Sequence, residues 1–191
     1  MTTSQNVPEL IAAAQAKAKL FEARIAEFSA QGQEQGQEQG QAQGQERGLA
    51  ASGADDLNAA RVGLEAATVD LFTLFEARMQ HHFRRGPFSR KLKAALLEAG
   101  QGDLAERVHA YYLAVNVLKH GAGASYRELL DMQVTMFPVH RVAAEPEEAA
   151  GSVESGPAQN TPSRRIDVSV PGFFDGLAAT LLEAQGFLEN R

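Results

Sequence analysis

Three polar side chains near residue 120 are the best candidates for chemistry in this sequence. Asn116 and His120 stand four residues apart, so on an α-helix they share one face and lie one turn from each other. Lys119 adds a cation beside them. A histidine can move a proton or hold a phosphate near neutral pH. We therefore interpret Asn116, Lys119 and His120 as candidate catalytic residues; the alternative is that His120 only hydrogen-bonds the last carbonyls of its own helix.

The segment that carries these residues is predicted to be the end of an amphipathic helix. Its apolar residues follow one another in steps of three and four, and they are Val108, Tyr111, Val115 and Leu118. Lys119 and His120 fall in the last turn, where a positive charge opposes the negative end of the helix dipole. Gly121 then stands where a cap with left-handed backbone belongs. The three polar groups are thus expected to be held by a packed element.

A second candidate site is a run of cations between Glu76 and Glu98, an interval that contains no acidic residue. Such a run would attract phosphates, and Phe83 and Phe88 could stack on exposed bases. The alternative is that both phenylalanines belong to the core and the cations form a solvated surface. The residues that we assign to phosphate or nucleic-acid binding are Arg84, Arg85, Arg90, Lys91 and Lys93.

Composition excludes several classes of protein and of site. The formal charge of −6 argues against a nucleic-acid or membrane-surface binder driven by bulk charge. The absence of cysteine excludes disulfides, thiolate metal sites and a cysteine nucleophile. There is no H-x-x-x-H pair and no G-x-S-x-G, so we predict no metal, no cofactor and no serine hydrolase. No secretory signal and no apolar run of roughly 20 residues are seen, so we expect no membrane association and a cytoplasmic location.

The whole chain predicts an all-α fold with five parts. Residues 1–30 form an amphipathic helix whose heptad-like spacing fits either partner docking or packing on its own domain. Residues 31–54, rich in Gln and Gly, and residues 139–164, rich in Glu, Pro and Ser, are predicted disordered linkers. Residues 55–138 form an antiparallel bundle of about four core helices. Residues 165–191 form an extension in which a short strand, from alternating apolar residues, precedes a last helix.

Side-chain caps are predicted at the starts of the core helices. Ser, Asp and Asn accept hydrogen bonds from the free N–H groups of a first helical turn. The predicted caps are Asp55 or Asp56, Ser89, Asp103, and Ser125 with Glu128 in a capping box.

A helix that bears N-x-x-x-H in a small all-α module resembles the HEPN superfamily (higher eukaryotes and prokaryotes nucleotide-binding). Many members carry an Arg, then a polar residue, three residues and a His; Asn116 and His120 match the last two positions. The resemblance covers about residues 55–130. It implies a helical bundle, often dimeric, in which the motifs of two chains meet in a cleft. Active members cleave RNA without a metal, using the Arg and the His, whereas others only bind RNA or protein partners.

The sequence departs from this pattern at the position before Asn116, which is Val115. An apolar residue there cannot stabilise the charge of a transition state, and Lys119 would supply only a point charge instead of a bidentate fork. We therefore predict a non-catalytic, self-associating, HEPN-like binding or regulatory module for RNA or a protein partner. The alternatives are a metal-independent, toxin-like endoribonuclease that uses His120, and a structural adaptor or oligomerisation protein.

Overall fold

The computed structural model describes residues 6–35, 46–132, 134–141 and 165–191. These parts of the chain are all-α, which confirms the predicted fold class. A short 3₁₀ turn, Gln80–His82, follows the second helix. The helices in chain order are α1 (Val7–Gln35), α2 (Glu46–Met79), α3 (Phe88–Glu98), α4 (Gly102–His120), α5 (Ala124–Asp131) and α6 (Phe173–Glu189). None of these helices combines the length and the apolar character that a bilayer crossing requires.

The helices α1 and α2 reach into the first predicted linker from both sides. α1 continues to Gln35, and α2 begins at Glu46, nine residues before the predicted start of the core. Asp55 and Asp56 consequently lie inside α2 and cap nothing. Residues 36–45 of that linker, and residues 142–164 of the second predicted linker, lie outside the described parts of the chain.

α1 packs on its own domain, against α2 and α6. The buried residues Ile11, Ala18 and Ile25 come from its heptad-like series. Gly63 of α2 permits close approach, because a Cβ there would lie 2.5 Å from Cε1 of Phe21. The apolar face of α1 is therefore buried within the same chain, as the interpretation of packing on its own domain requires, and not left open for partner docking.

α4 packs against α2, α3, α5 and α6. Its buried face includes Val108, Tyr111 and Val115, as the spacing predicted. Arg107 binds Glu183 of α6 through both terminal guanidinium nitrogens, with Nη1 at 3.1 Å from Oε1. α4 ends at His120, where Gly121 turns the backbone with a φ of 71°. This packed helix is the element that positions Asn116.

The predicted strand at residues 166–170 is wrong, although the helix that follows it is confirmed as α6. Among the residues that the structure describes, Ile166 makes an isolated antiparallel bridge with Val139 and no longer ladder. Asp167 then accepts hydrogen bonds from the backbone N–H and from the hydroxyl of Ser169. Such a local side-chain turn competes with strand pairing, so the alternating apolar pattern does not produce a strand here.

The predicted caps are also wrong at α3, α4 and α5, none of which starts with a side-chain cap hydrogen bond. The side chains bind elsewhere. The hydroxyl of Ser89 donates to Glu76 of α2, and Glu128 binds the Nε2 of His109 at 2.7 Å. These side chains thus form hydrogen bonds with residues of other helices, although the local sequence predicts that they cap the helix N-termini.

Candidate functional site

Asn116 lines a surface depression of about 520 Å³ where α2, the start of α3 and α4 meet. It is half-buried in the second-last turn of α4. The other residues that bring polar side chains to this depression are Thr73, Glu76, Gln80, Ser89 and Tyr112. The depression is open to solvent and offers several hydrogen-bonding groups.

Two lysines stand at the rim of this depression. The ammonium group of Lys119 donates to Oγ1 of Thr73 at 3.0 Å, and Thr73 itself lines the depression. On another side, a Cβ placed on the lining residue Gly86 would lie 3.8 Å from Nζ of Lys91. Gly86 has a φ of 101°, a conformation that few residues other than glycine adopt. Each of these two ammonium groups therefore lies beside a residue that lines the depression.

Glu76 brings the carboxylate that lines the depression. The buried hydroxyl of Ser89 donates to its Oε1 at 2.5 Å. An ionised carboxylate has about four acceptor positions on its two oxygens. The bond from Ser89 therefore fixes the orientation of the carboxylate and leaves acceptor capacity for a ligand.

His120 lies outside this depression, at the exposed end of α4. The structure therefore does not bring its imidazole into the depression that Asn116 lines, although both belong to the same helix. Val115, the residue before Asn116, lies in the core with 2% of its surface exposed.

A cation that the sequence interpretation missed lies near His120. Nη1 of Arg165 is 3.8 Å from the position that a Cβ on Gly121 would take. The guanidinium also lies over the ring of Tyr126, 5.8 Å from its centroid. Arg165 is 44 residues beyond Gly121 in the chain, so no local pattern could have predicted this proximity.

The five cations assigned to phosphate binding are available for a ligand. Arg84, Arg85 and Arg90 are exposed, and Lys91 and Lys93 are half-buried. Within the part of the chain that the structure describes, none of the five belongs to an ion pair such as Arg107 with Glu183 or His109 with Glu128. Cations without a neighbouring carboxylate keep their full attraction for phosphate.

Phe83 and Phe88 do not form the stacking surface that the sequence suggested. Phe88 is 5% exposed and packs edge-on against Phe75 and Phe83, at centroid distances of 5.8 Å and 5.6 Å. Phe83 is half-buried against the same core. Both rings therefore belong to the core, and the prediction that they stack on bases is wrong.

His82 adds little charge to the cationic run. Burial lowers its pKa, and the neighbouring ring of His81, 4.1 Å away between centroids, lowers it further. Glu189 acts in the opposite direction but more weakly. Since an ordinary histidine is already largely neutral at pH 7, the positive charge of this surface comes from its arginines and lysines.

Among the residues with described coordinates, no group of three His, Asp or Glu side chains could hold a metal ion. No protein-family model, curated protein or solved structure matches the chain. The resemblance to the HEPN superfamily therefore stays a prediction, and the function is argued from the geometry of the site itself.

Proposed function

We propose that this protein is a non-catalytic RNA-binding module whose cations at residues 84–93 hold the phosphates of a single strand. The observation that carries the proposal is the set of free cations in this segment. Residues 84–93 contain five lysines and arginines and no acid, a formal charge of +5 in a chain of net charge −6. Exposed cations concentrated on one segment attract a polyanion locally even when the whole protein is acidic.

The depression beside these cations favours RNA over an acidic protein segment. Its carboxylate, Glu76, would repel an acidic side chain or a phosphate that entered the depression. The same carboxylate would accept hydrogen bonds from the N–H groups of a base, which is neutral. Recognition of RNA sequence depends on such unstacked bases in single-stranded regions.

The arrangement of the HEPN-like residues supports binding without cleavage. A general acid or base must come within hydrogen-bond reach of the reacting group. His120 does not line the depression, and the buried Val115 stands where the family pattern has Arg. Self-association and a cytoplasmic location remain predictions from the sequence.

The proposal is tested by fluorescence anisotropy with a short, labelled, single-stranded RNA. Replacing Arg84 and Arg85 together by glutamine should weaken binding about tenfold, because two exposed charge pairs contribute up to about 1 kcal/mol each. The matched control changes Lys17 and Arg24, two exposed cations of α1, to glutamine and removes the same charge.

Two results would overturn the proposal. One is equal weakening in the Arg84/Arg85 variant and in the α1 control, which would assign the binding to net charge alone. The other is displacement of the RNA by polyglutamate at a similar concentration of charges, which would favour an acidic protein as the partner.

A further inference from the structure

The depression lined by Asn116 has a donor and acceptor pattern that distinguishes among the bases. The carboxylate of Glu76 accepts hydrogen bonds and donates none, whereas the amide of Asn116 can both donate and accept. The ring of Tyr112 lines the same depression. The depression has a volume of about 520 Å³, which exceeds that of one base.

A carboxylate is best matched by two donors side by side. On its Watson–Crick edge guanine presents N1–H and the N2 amino group next to each other. Adenine and cytosine each place an acceptor nitrogen beside their amino group, and uracil flanks its single N–H with two carbonyls. Only guanine can therefore donate two parallel hydrogen bonds to Glu76 without facing a repulsive acceptor.

The surroundings of Glu76 support this use of its carboxylate. Ser89 holds one oxygen in place, so little orientational freedom remains to be lost on binding. The amide of Asn116, which lines the same depression, can donate to O6, the guanine acceptor next to N1–H. Lys91 and Lys119 at the rim offset the repulsion between the carboxylate and the phosphates of a strand that crosses the depression.

We propose that this depression binds a guanine base of single-stranded RNA, with Glu76 accepting hydrogen bonds from N1–H and from the N2 amino group. This inference rests on the proposed RNA-binding function. It adds base selectivity to the contacts with phosphate, which carry no sequence information.

The test uses the intact chain and two RNA strands that differ by one amino group. One strand carries a single guanine, and the other carries inosine, which lacks the N2 amino group, at the same position. The guanine strand should bind about tenfold more tightly, because inosine leaves one carboxylate acceptor unpaired. Glu76→Gln should abolish this ratio while it retains the bond from Ser89, since the amide oxygen still accepts. Glu98→Gln, which removes a carboxylate that does not line this depression, should leave the ratio unchanged.

Titration with free guanosine monophosphate separates the inference from the function on which it rests. Equal affinity for the two strands, with RNA binding still sensitive to Arg84 and Arg85, would overturn the guanine site and leave the proposed function. Guanosine monophosphate binding that is lost in Glu76→Gln, without any binding of RNA, would overturn the RNA-binding function and support the guanine site. Absence of binding to both would overturn the two proposals together.

Discussion

Replacing Gly176 by alanine should destabilise the protein, and removing one oxygen atom from Tyr111 should reverse the effect. A Cβ on Gly176 of α6 would lie 2.5 Å from the hydroxyl oxygen of Tyr111 and 3.7 Å from its Cζ. Tyr111 is 3% exposed, and its ring packs against Phe137 at 5.5 Å and Phe173 at 5.6 Å. The hydroxyl therefore cannot move aside without disturbing the contact between α4 and α6.

The size of the effect follows from three contributions. Forcing an extra methyl group into a packed core costs roughly 1–3 kcal/mol, and alanine recovers up to about 1 kcal/mol of helix propensity. Tyr111→Phe alone loses a long hydrogen bond to the carbonyl of Phe173, at 3.4 Å, worth at most about 1 kcal/mol. Without the hydroxyl, the added Cβ would meet only Cζ at 3.7 Å, an ordinary van der Waals contact. Gly176→Ala should then stabilise the protein by up to about 1 kcal/mol.

The assay is urea unfolding of four proteins, followed by circular dichroism: the wild type, Gly176→Ala, Tyr111→Phe and the double variant. We expect a coupling free energy of roughly 1–3 kcal/mol between the two changes. If Gly176→Ala has the same cost in both backgrounds, the close approach of α4 and α6 is refuted, and with it the placement of α4.

Three other outcomes concern pH and catalysis. Burial raises the pKa of Tyr111 to about 12, whereas the phenol of the unfolded chain ionises near pH 10. The free energy of unfolding should therefore fall by up to about 1.4 kcal/mol per pH unit as the pH rises from 10 towards 12. In urea unfolding at alkaline pH, Tyr111→Phe should remove this loss. The hydrogen bonds from Arg107 lower the pKa of Glu183. Glu183→Gln should therefore lower the free energy of unfolding by at most about 1 kcal/mol at neutral pH. In urea unfolding this difference should disappear as the pH falls below the ordinary carboxyl value of 4.5. Structured RNA incubated with the protein in EDTA should stay intact on a denaturing gel; cleavage that is lost in His120→Ala would instead support the ribonuclease alternative.

Local sequence was sufficient to predict α4 and its end. The steps of three and four among Val108, Tyr111 and Val115 describe only part of the buried surface, because the structure also buries Leu113 and Val117 on other sides of this central helix. Gly121 ends the helix because a positive φ is easy for glycine. Apolar periodicity failed where a local hydrogen bond competes with regular structure. The turn made by Asp167 and Ser169 replaces the strand that alternating apolar residues suggested.

The depression could not be predicted, because its walls come from segments far apart in the chain. Lys119 binds Thr73 across 46 residues, a contact that depends on how α4 packs against α2. The role of Glu76 was equally hidden, since nothing in its neighbourhood in the sequence announces the bond from Ser89. The cationic run could be recognised in the sequence, but only the structure shows that Phe88 belongs to the core.

The salt dependence of RNA affinity tests the central claim most directly. Each phosphate that a cation neutralises in a single strand contributes about −0.7 to the slope of the logarithm of the association constant against the logarithm of the salt concentration. With Arg84, Arg85 and Arg90 each on a phosphate, we predict a slope of about −2 or steeper, which should become less steep by about 1.4 when Arg84 and Arg85 are replaced by glutamine. The control at Lys17 and Arg24 should keep the slope of the wild type. A flat slope, or one that is the same in both variants, would contradict the account.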